Sequence, residues 1–239
     1  MRKLNIIIVL LLFSAITLSC SEEDNIIPSA ASLKVFHGAV DGPPLHVNYF
    51  ERPITLASNP TLRYRLSQVY TIPAEKEREI SFINSVDTLS TLFSTTISIP
   101  EGGLGTLFLT GENEDIDGFY LEDRILTLQD SLVGVRFINL SPDIGEISVR
   151  VSGETNDLAS GLSFKDGTEF MPLPATRDIS LYTFQFVDET ETVVASTNLV
   201  PVPPVGIMPL FKNITFALVG LKDNGVSGSS LLVRPINSY

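Results

Sequence analysis

The sequence predicts an all-β protein: two tandem immunoglobulin-like antiparallel β-sandwich domains behind a cleaved lipoprotein signal peptide. Three observations predict the sandwiches. Apolar and polar residues alternate in short runs, with Leu45, Val47 and Tyr49 around His46 and Asn48, and Ile147, Val149 and Val151 around Ser148 and Arg150. A period of two marks strands with one face on a core and one toward water. Turn formers cut these runs at short intervals, at Asp41-Gly42-Pro43-Pro44, Asn59-Pro60, Pro73-Ala74 and Pro100-Glu101-Gly102-Gly103. Ser141-Pro142-Asp143, Asp166-Gly167 and Asp223-Asn224-Gly225 do the same further on. The third observation is that the chain repeats itself, and no long amphipathic helical pattern competes.

The repeat sets the domain organisation. Leu33 to Asp41 lies over Val135 to Asp143, and the register runs on without a gap to Leu45-His46-Val47 over Ile147-Ser148-Val149. Leu62, Tyr64 and Tyr70 match Leu162, Phe164 and Phe170. Ile72-Pro73-Ala74 matches Leu173-Pro174-Ala175 with Pro172 as an insertion. Ile80-Ser81-Phe82 falls on Ile179-Ser180-Leu181, Val86-Asp87 on Val187-Asp188, and Gly105 to Gly111 on Ile214 to Gly220. Matches in constant order predict one domain copied twice, over 33–130 and 131–239, with about seven short strands per copy. The boundary is expected near Leu128 to Val133, without a flexible linker.

The openings of both copies, Leu33 to Val47 and Val135 to Val149, resemble a bacterial secreted family catalogued as domain-of-unknown-function family 4397. In that family a strand ending in His or Asn leads into an Ala-Ser-Pro-Asp turn and a second strand. Tyr70-Thr71-Ile72-Pro73-Ala74 fits its later aromatic-x-x-Leu-Pro-Ala step, whereas Gly38-Ala39-Val40 departs from its turn. The resemblance implies a fold and an extracellular setting, and no activity.

Ahead of the repeat, residues 1–19 have the layout of a secretory signal. Arg2 and Lys3 are followed by an apolar run from Ile6 to Phe13 and by Thr17-Leu18-Ser19. Ser14, Thr17 and Ser19 interrupt it short of the roughly twenty apolar residues that a membrane span needs. Cys20, the chain's one cysteine, stands at the junction and resembles the lipobox cysteine of bacterial lipoproteins. That resemblance implies a Cys20 carrying thioether-linked lipid and an acylated amine, with palmitate among the chains. Each buried methylene contributes about 0.8 kcal/mol, so several chains hold a protein on a membrane. Ser21-Glu22-Glu23-Asp24-Asn25 resembles the serine-plus-acidic signal that sends lipoproteins of certain Gram-negative bacteria to the outer face of the outer membrane. Residues 20–32 are thus expected to form a lipidated, acidic tether, and the membrane is the first partner.

Charge excludes one class of partner. Losing Arg2 and Lys3 leaves 14 of the chain's 16 basic residues against 28 acidic ones, a net charge of −14. Such an excess repels phosphate backbones, so no nucleic-acid partner is expected. With its cysteine given to lipid the body has no disulfide, and its stability comes from apolar burial.

Candidate site residues are few. Asp41 and Asp143 stand at equivalent turn positions, where a carboxylate accepts backbone N–H groups. His37 and His46 correspond to Asn139 and Ser148, so the fold does not need imidazole at either place. His37 is expected to satisfy local backbone groups and His46 to face water. The candidate metal ligands are Asn113, Asp115 and Asp117, spaced as in the first half of a calcium loop. The loop lacks the second half, because Arg124 stands where a bidentate Glu is needed, and a solvated hairpin is the reading preferred there. Pro201 to Leu210 is a stiff apolar insertion, read either as a contact surface or as a cap on its own sandwich.

No nucleophile elbow, zinc-protease helix motif or phosphate-cradling loop is present, so no enzyme activity and no cofactor are expected. The function expected is a surface-anchored interaction, adhesion or structural module with a protein partner. The alternative is an accessory glycan-binding lipoprotein of an outer-membrane uptake system, although the chain has no Trp to offer a sugar.

Overall fold

The computed structural model describes residues 29–49, 60–129, 131–201, 212–222 and 228–238, and every regular element among them is a strand. Residues 1–28, with Cys20 and most of the tether, and residues 202–210 of the Pro-rich insertion lie outside the described residues. The tether ends sooner than residue 32, because Ala30, Ala31 and Ser32 already pair with Pro73, Ile72 and Thr71. The first half contributes β1 (Ala30–His37), β2 (Leu45–Asn48), β3 (Ser67–Pro73), β4 (Arg78–Asn84), β5 (Thr91–Ile97), β6 (Leu104–Glu112) and β7 (Asp115–Glu122). They form two sheets, ordered β3-β1-β6-β7 and β2-β4-β5.

The second half repeats this plan. Its strands are β8 (Leu132–Asn139), β9 (Ile147–Val151), β10 (Asp157–Leu162), β11 (Asp166–Gly167), β12 (Met171–Pro174), β13 (Tyr182–Asp188), β14 (Val193–Leu199), β15 (Asn213–Val219) and β16 (Leu232–Ser238). One sheet runs β11-β8-β15-β16 with β12 also on β8, and the other β10-β9-β13-β14. Pairing is antiparallel except between β1 and β6 and between β8 and β15, which are parallel. The chain crosses between the sheets more than once. In the first half β2 is outer, β3 returns beside β1 antiparallel to it, β4 and β5 complete the outer sheet, and β6 re-enters on the other side of β1 in the same direction.

Each half closes over its own core. Leu33, Val35, Leu107 and Leu109 meet Leu45, Val47, Ile80 and Phe82 in the first. In the second, Phe137 lies 5.1 Å from Phe184, 5.9 Å from Phe186 and 6.0 Å from Phe216. A third cluster joins the halves: Phe36 and Phe108 with Ile138, Leu140, Ala217, Val219 and Ile236. The central strands of the two inner sheets are therefore buried on both faces. That explains why β1, β6, β8 and β15 read as continuous buried runs, while outer strands such as β4 and β9 alternate.

The halves meet much as two copies meet in an isologous dimer, with matched positions facing each other across the join. Lys34 and Arg136 hold the same place in β1 and β8, and each reaches into the opposite half. Lys34 donates to the Asn237 carbonyl, and Arg136 Nη2 donates to Asp123 Oδ1 at 2.7 Å. Between β7 and β8 the chain is fastened down. Asn213 accepts from Leu126 N and donates to Leu126 O, both at 3.1 Å. Gly134 makes room, since a Cβ there would stand 2.3 Å from Asn213 Oδ1.

Three local matches change. Asn84 opposes Leu45 and Asp188 opposes Ile147, so Asp188 corresponds to Asn84, and Val86-Asp87 does not fall on Val187-Asp188. Phe82 opposes Val47, and Phe186 opposes Val149, so the counterpart of Phe82 is Phe186 rather than Leu181. Leu181 lies ahead of β13 in a connection longer than the one before β4. By the same pairing Tyr70 corresponds to Met171, and the extra residue falls at Thr168–Phe170 rather than at Pro172. There Phe170 tucks beneath Arg136, its ring centroid 4.4 Å from the guanidinium carbon.

Candidate functional site

Strand direction decides where the loops gather. β1 starts beside Gly102, Gly103 and Ala74, through bonds from Gly102 N to Ala30 O, Ser32 N to Gly103 O and Ala74 N to Ser29 O. It ends at His37 among the turns that carry Asp41, Arg65 and the β6–β7 hairpin. The matching turns of the second half lie at the same end, because they touch. Ser229 Oγ donates to Asp41 Oδ2 at 2.5 Å, Arg65 Nη2 donates to Ser230 O at 2.6 Å, and Lys165 Nζ bonds Asp117 Oδ2.

His37 is fully buried, and its Nε2 lies 3.0 Å from Pro43 O. Asn139, its counterpart, donates from Nδ2 to Gly145 O at 3.0 Å, and Gly145 corresponds to Pro43. Both side chains fasten the same turn to the end of the first strand. Burial holds the His37 imidazole below its ordinary pKa, with the Pro43 bond opposing, and its Nδ1 has no partner. His46 is buried too, at 7% exposure, and does not face water. A period of two identifies which face a residue takes; it does not show what lies over that face.

Asp143 accepts from Lys222 N at 3.0 and 2.9 Å and from Ser141 Oγ at 3.0 Å, so it ties two turns of its own half together. Asp41 has a left-handed backbone (φ 53°) and reaches Ser229 of the other half. Asn113 (φ 55°) and Glu114 form a two-residue hairpin turn, closed by the Glu112–Asp115 pair. Asp115 and Asp117 share one face of β7. The Lys165 ammonium holds the Asp117 carboxyl below its usual range. Among the described residues no three His, Cys, Asp or Glu side chains converge as metal ligands. Pro201, the described end of the apolar insertion, is buried.

At this same end a cleft of about 560 Å³ opens between the halves. Thr110, Glu112, Asn113, Asp115 and Asp117 form one wall, and Pro142, Phe164 and Lys165 the other. Thr110 continues the row Thr106–Phe108 on the face of β6 turned to the second half, where it is fully buried and its Oγ1 has no hydrogen-bond partner. Phe164 is half-buried, with the Lys165 ammonium 5.4 Å from its ring centroid. A smaller acidic groove of about 260 Å³ lies at the same end of the second half, between Glu146, Asp188, Glu189 and Glu191. Hydrogen bonds from the Thr190 hydroxyl and the Lys222 ammonium keep Asp188 ionised well below the usual carboxylate range.

Motif reading missed Thr110, Phe164 and Lys165, because none belongs to a catalytic or metal pattern. One signal was present: laying Gly105–Gly111 on Ile214–Gly220 puts Thr110 over Val219, a hydroxyl over a methyl.

No protein-family model matches the chain, and no curated protein matches it. Among solved structures it is similar to one of alpha-glucan binding by a streptococcal virulence factor, at 12% identity over 84% of this chain and 97% of that one, with a TM-score of 0.25. It is also similar to a product complex of the multi-modular glycogen-degrading pneumococcal virulence factor SpuA. There the identity is 10% over 83% of this chain and 21% of that one, with a TM-score of 0.23. Overlaps this loose assign no ligand.

Proposed function

We propose that the chain is an outer-membrane lipoprotein, held by lipid on Cys20 and displayed on the cell surface, whose two sandwiches form a non-enzymatic binding or structural module. We place it beside family 4397 on the strength of its two repeat openings. One observation carries the reading. The tether enters β1 at one end of the body, while the turns that carry Asp41, Arg65, Lys165 and Ser229 and the β6–β7 hairpin meet at the other, so a lipid-held chain presents that meeting of turns from both halves away from the membrane. Loops on a rigid scaffold are where binding residues concentrate. Here the scaffold is stiffened because the inner sheets are buried against each other.

The test has two arms. Cells expressing the full chain should incorporate labelled palmitate into it, and Cys20→Ser should abolish the label. Protease added to intact cells should then remove the protein, and cross-linking should capture a recurrent neighbour. Label persisting in Cys20→Ser, or a chain shielded from protease in intact cells, sinks the anchoring and display.

A further inference from the structure

The two halves are matched almost position for position where they meet, so a place where the match breaks calls for a physical reason. Lys34 corresponds to Arg136, Thr106 to Thr215 and Tyr64-Arg65 to Phe164-Lys165. On one side of the join, Ser229 and Ser230, at the end of the long β15–β16 connection, press onto Asp41 and Arg65. On the other side the β6–β7 connection is a two-residue turn, and the cleft stays open above Phe164. At the floor of that open side Thr110 replaces the valine found at the matching Val219. Its hydroxyl is fully buried without a partner, which costs stability and gains nothing inside the protein.

We infer that this cleft is a binding site for a neutral, hydroxyl-rich ring, a saccharide unit whose apolar face lies against Phe164 and Pro142 and whose hydroxyl edge meets Thr110, Asn113 and the wall carboxylates. The inference deepens the reading of the chain as a binding module, and rests on it. The volume suits a small ligand, and an apolar platform with a few converging polar groups is how such sites are built. The walls carry three carboxylates, on Glu112, Asp115 and Asp117, against the single Lys165 ammonium, so an anionic sugar is repelled. A cationic ligand is disfavoured for another reason: Lys165 already holds the cation position beside Phe164 and is paired with Asp117. The second, independent sign of a ligand is the buried Thr110 hydroxyl, which the row Thr106–Phe108–Thr110 turns toward the space between the halves.

The experiment is calorimetric titration of the full chain in detergent micelles with cellotetraose, xylotetraose, mannotetraose, maltotetraose, trigalacturonate and tetralysine, each separately. Saturable binding of at least one neutral tetrasaccharide is expected, with no uptake of trigalacturonate. Phe164→Ala should weaken it by about tenfold or more. Thr110→Val, which copies the matching Val219, should weaken it by roughly threefold to tenfold while leaving the free protein's melting temperature unchanged or raised. Opposite movement of affinity and stability at one residue is something a purely structural threonine would not give.

Three outcomes overturn the proposal. Silence with every neutral sugar removes the ligand class. Sugar binding indifferent to both substitutions moves the site elsewhere and leaves the binding module standing. Tetralysine binding that depends on Phe164 assigns the cleft to a basic peptide instead. Failure of the module reading itself is seen separately, in the absence of any recurrent cross-linked neighbour on intact cells.

Discussion

Arg136 and Asp123 form an ion pair at 2.7 Å in which neither side chain sees solvent, at 3% and 0% exposure. Arg136 belongs to β8, and Asp123 follows β7, so the pair spans the join between the halves. It is completed on both sides, by Thr106 Oγ1 donating to Asp123 Oδ2 at 2.6 Å and by Arg136 Nε donating to Thr215 Oγ1 at 3.0 Å. Removing one partner leaves an uncompensated buried charge, which costs about 3–5 kcal/mol, whereas replacing both with apolar groups is often near neutral. Arg136→Met should therefore destabilise the protein by about that amount in urea unfolding. Adding Asp123→Leu to it should recover most of the loss. A double variant no more stable than the single one would show that the pair is not an isolated unit.

Lys34 occupies the matching place in β1, buried at 3% exposure. Burial pulls its pKa from 10.5 to about 8, with Asp123 pulling up and Arg136 pushing down. An unfolded chain keeps this proton up to about pH 10.4, and the folded one gives it up near 8. Between those values the unfolded state binds more protons, so stability rises with pH across the window. The penalty for holding the charge is fully present below pH 8. Tyr120, which burial pushes up to about 12, works the other way above pH 10. Urea titrations between pH 7.5 and 9.5 should thus show wild-type stability climbing, by at most about 1.4 kcal/mol per pH unit from this proton. Lys34→Met should start higher and stay flatter, and equal slopes in the two proteins would refute the assignment.

How much of this was legible in the chain varies by residue. Leu45-His46-Val47 and Ile147-Ser148-Val149 gave away outer strands, because one of their faces meets a core and the alternation survives. Phe36, Phe108, Ile138 and Val219 carried no such signal. Sheets buried on both faces lose the alternation, so the packing of one half on the other could not be read from period alone. The Phe82–Phe186 match was hidden by unequal connections before β4 and β13. The cleft was invisible for a different reason: Thr110 and Phe164 lie far apart in sequence, and only the join brings them together.

His37 supplies a pH dependence of its own. Burial lowers its folded pKa, while the unfolded imidazole titrates near 6.5. As pH falls below that value the unfolded state takes up a proton that the folded state resists, so stability is lost on acidification and restored as pH rises. His37→Asn copies the matching Asn139, whose amide makes the equivalent bond to the turn carbonyl. The variant should fold, and should lose part of the wild type's decline between pH 6.5 and 5. Carboxylates contribute to that decline in both proteins, so the quantity to read is the difference between the two curves. Curves that run parallel would mean that His37 is protonated as readily in the fold as outside it.

Gly38 and Leu140 occupy matching positions at the join, and they cannot both be large. A Cβ on Gly38 would stand 2.8 Å from Leu109 O and 3.2 Å from Leu140 Cδ1, because the Leu140 side chain has crossed over from the other half into that space. Positions that face each other across a join of like halves must complement rather than copy each other. The first half's departure at Gly38 from the turn of its partner therefore has a steric cause. Gly38→Leu should overpack the join by about 1–3 kcal/mol or more, since a backbone carbonyl cannot yield as a side chain can. Adding Leu140→Gly should relieve the Leu140 part of the strain and leave the Leu109 part. Measured by thermal unfolding, the double variant should fall between Gly38→Leu and wild type. If Leu140→Gly brings no recovery at all, the Leu109 carbonyl alone sets the limit and the exchange between halves is not what Gly38 is for.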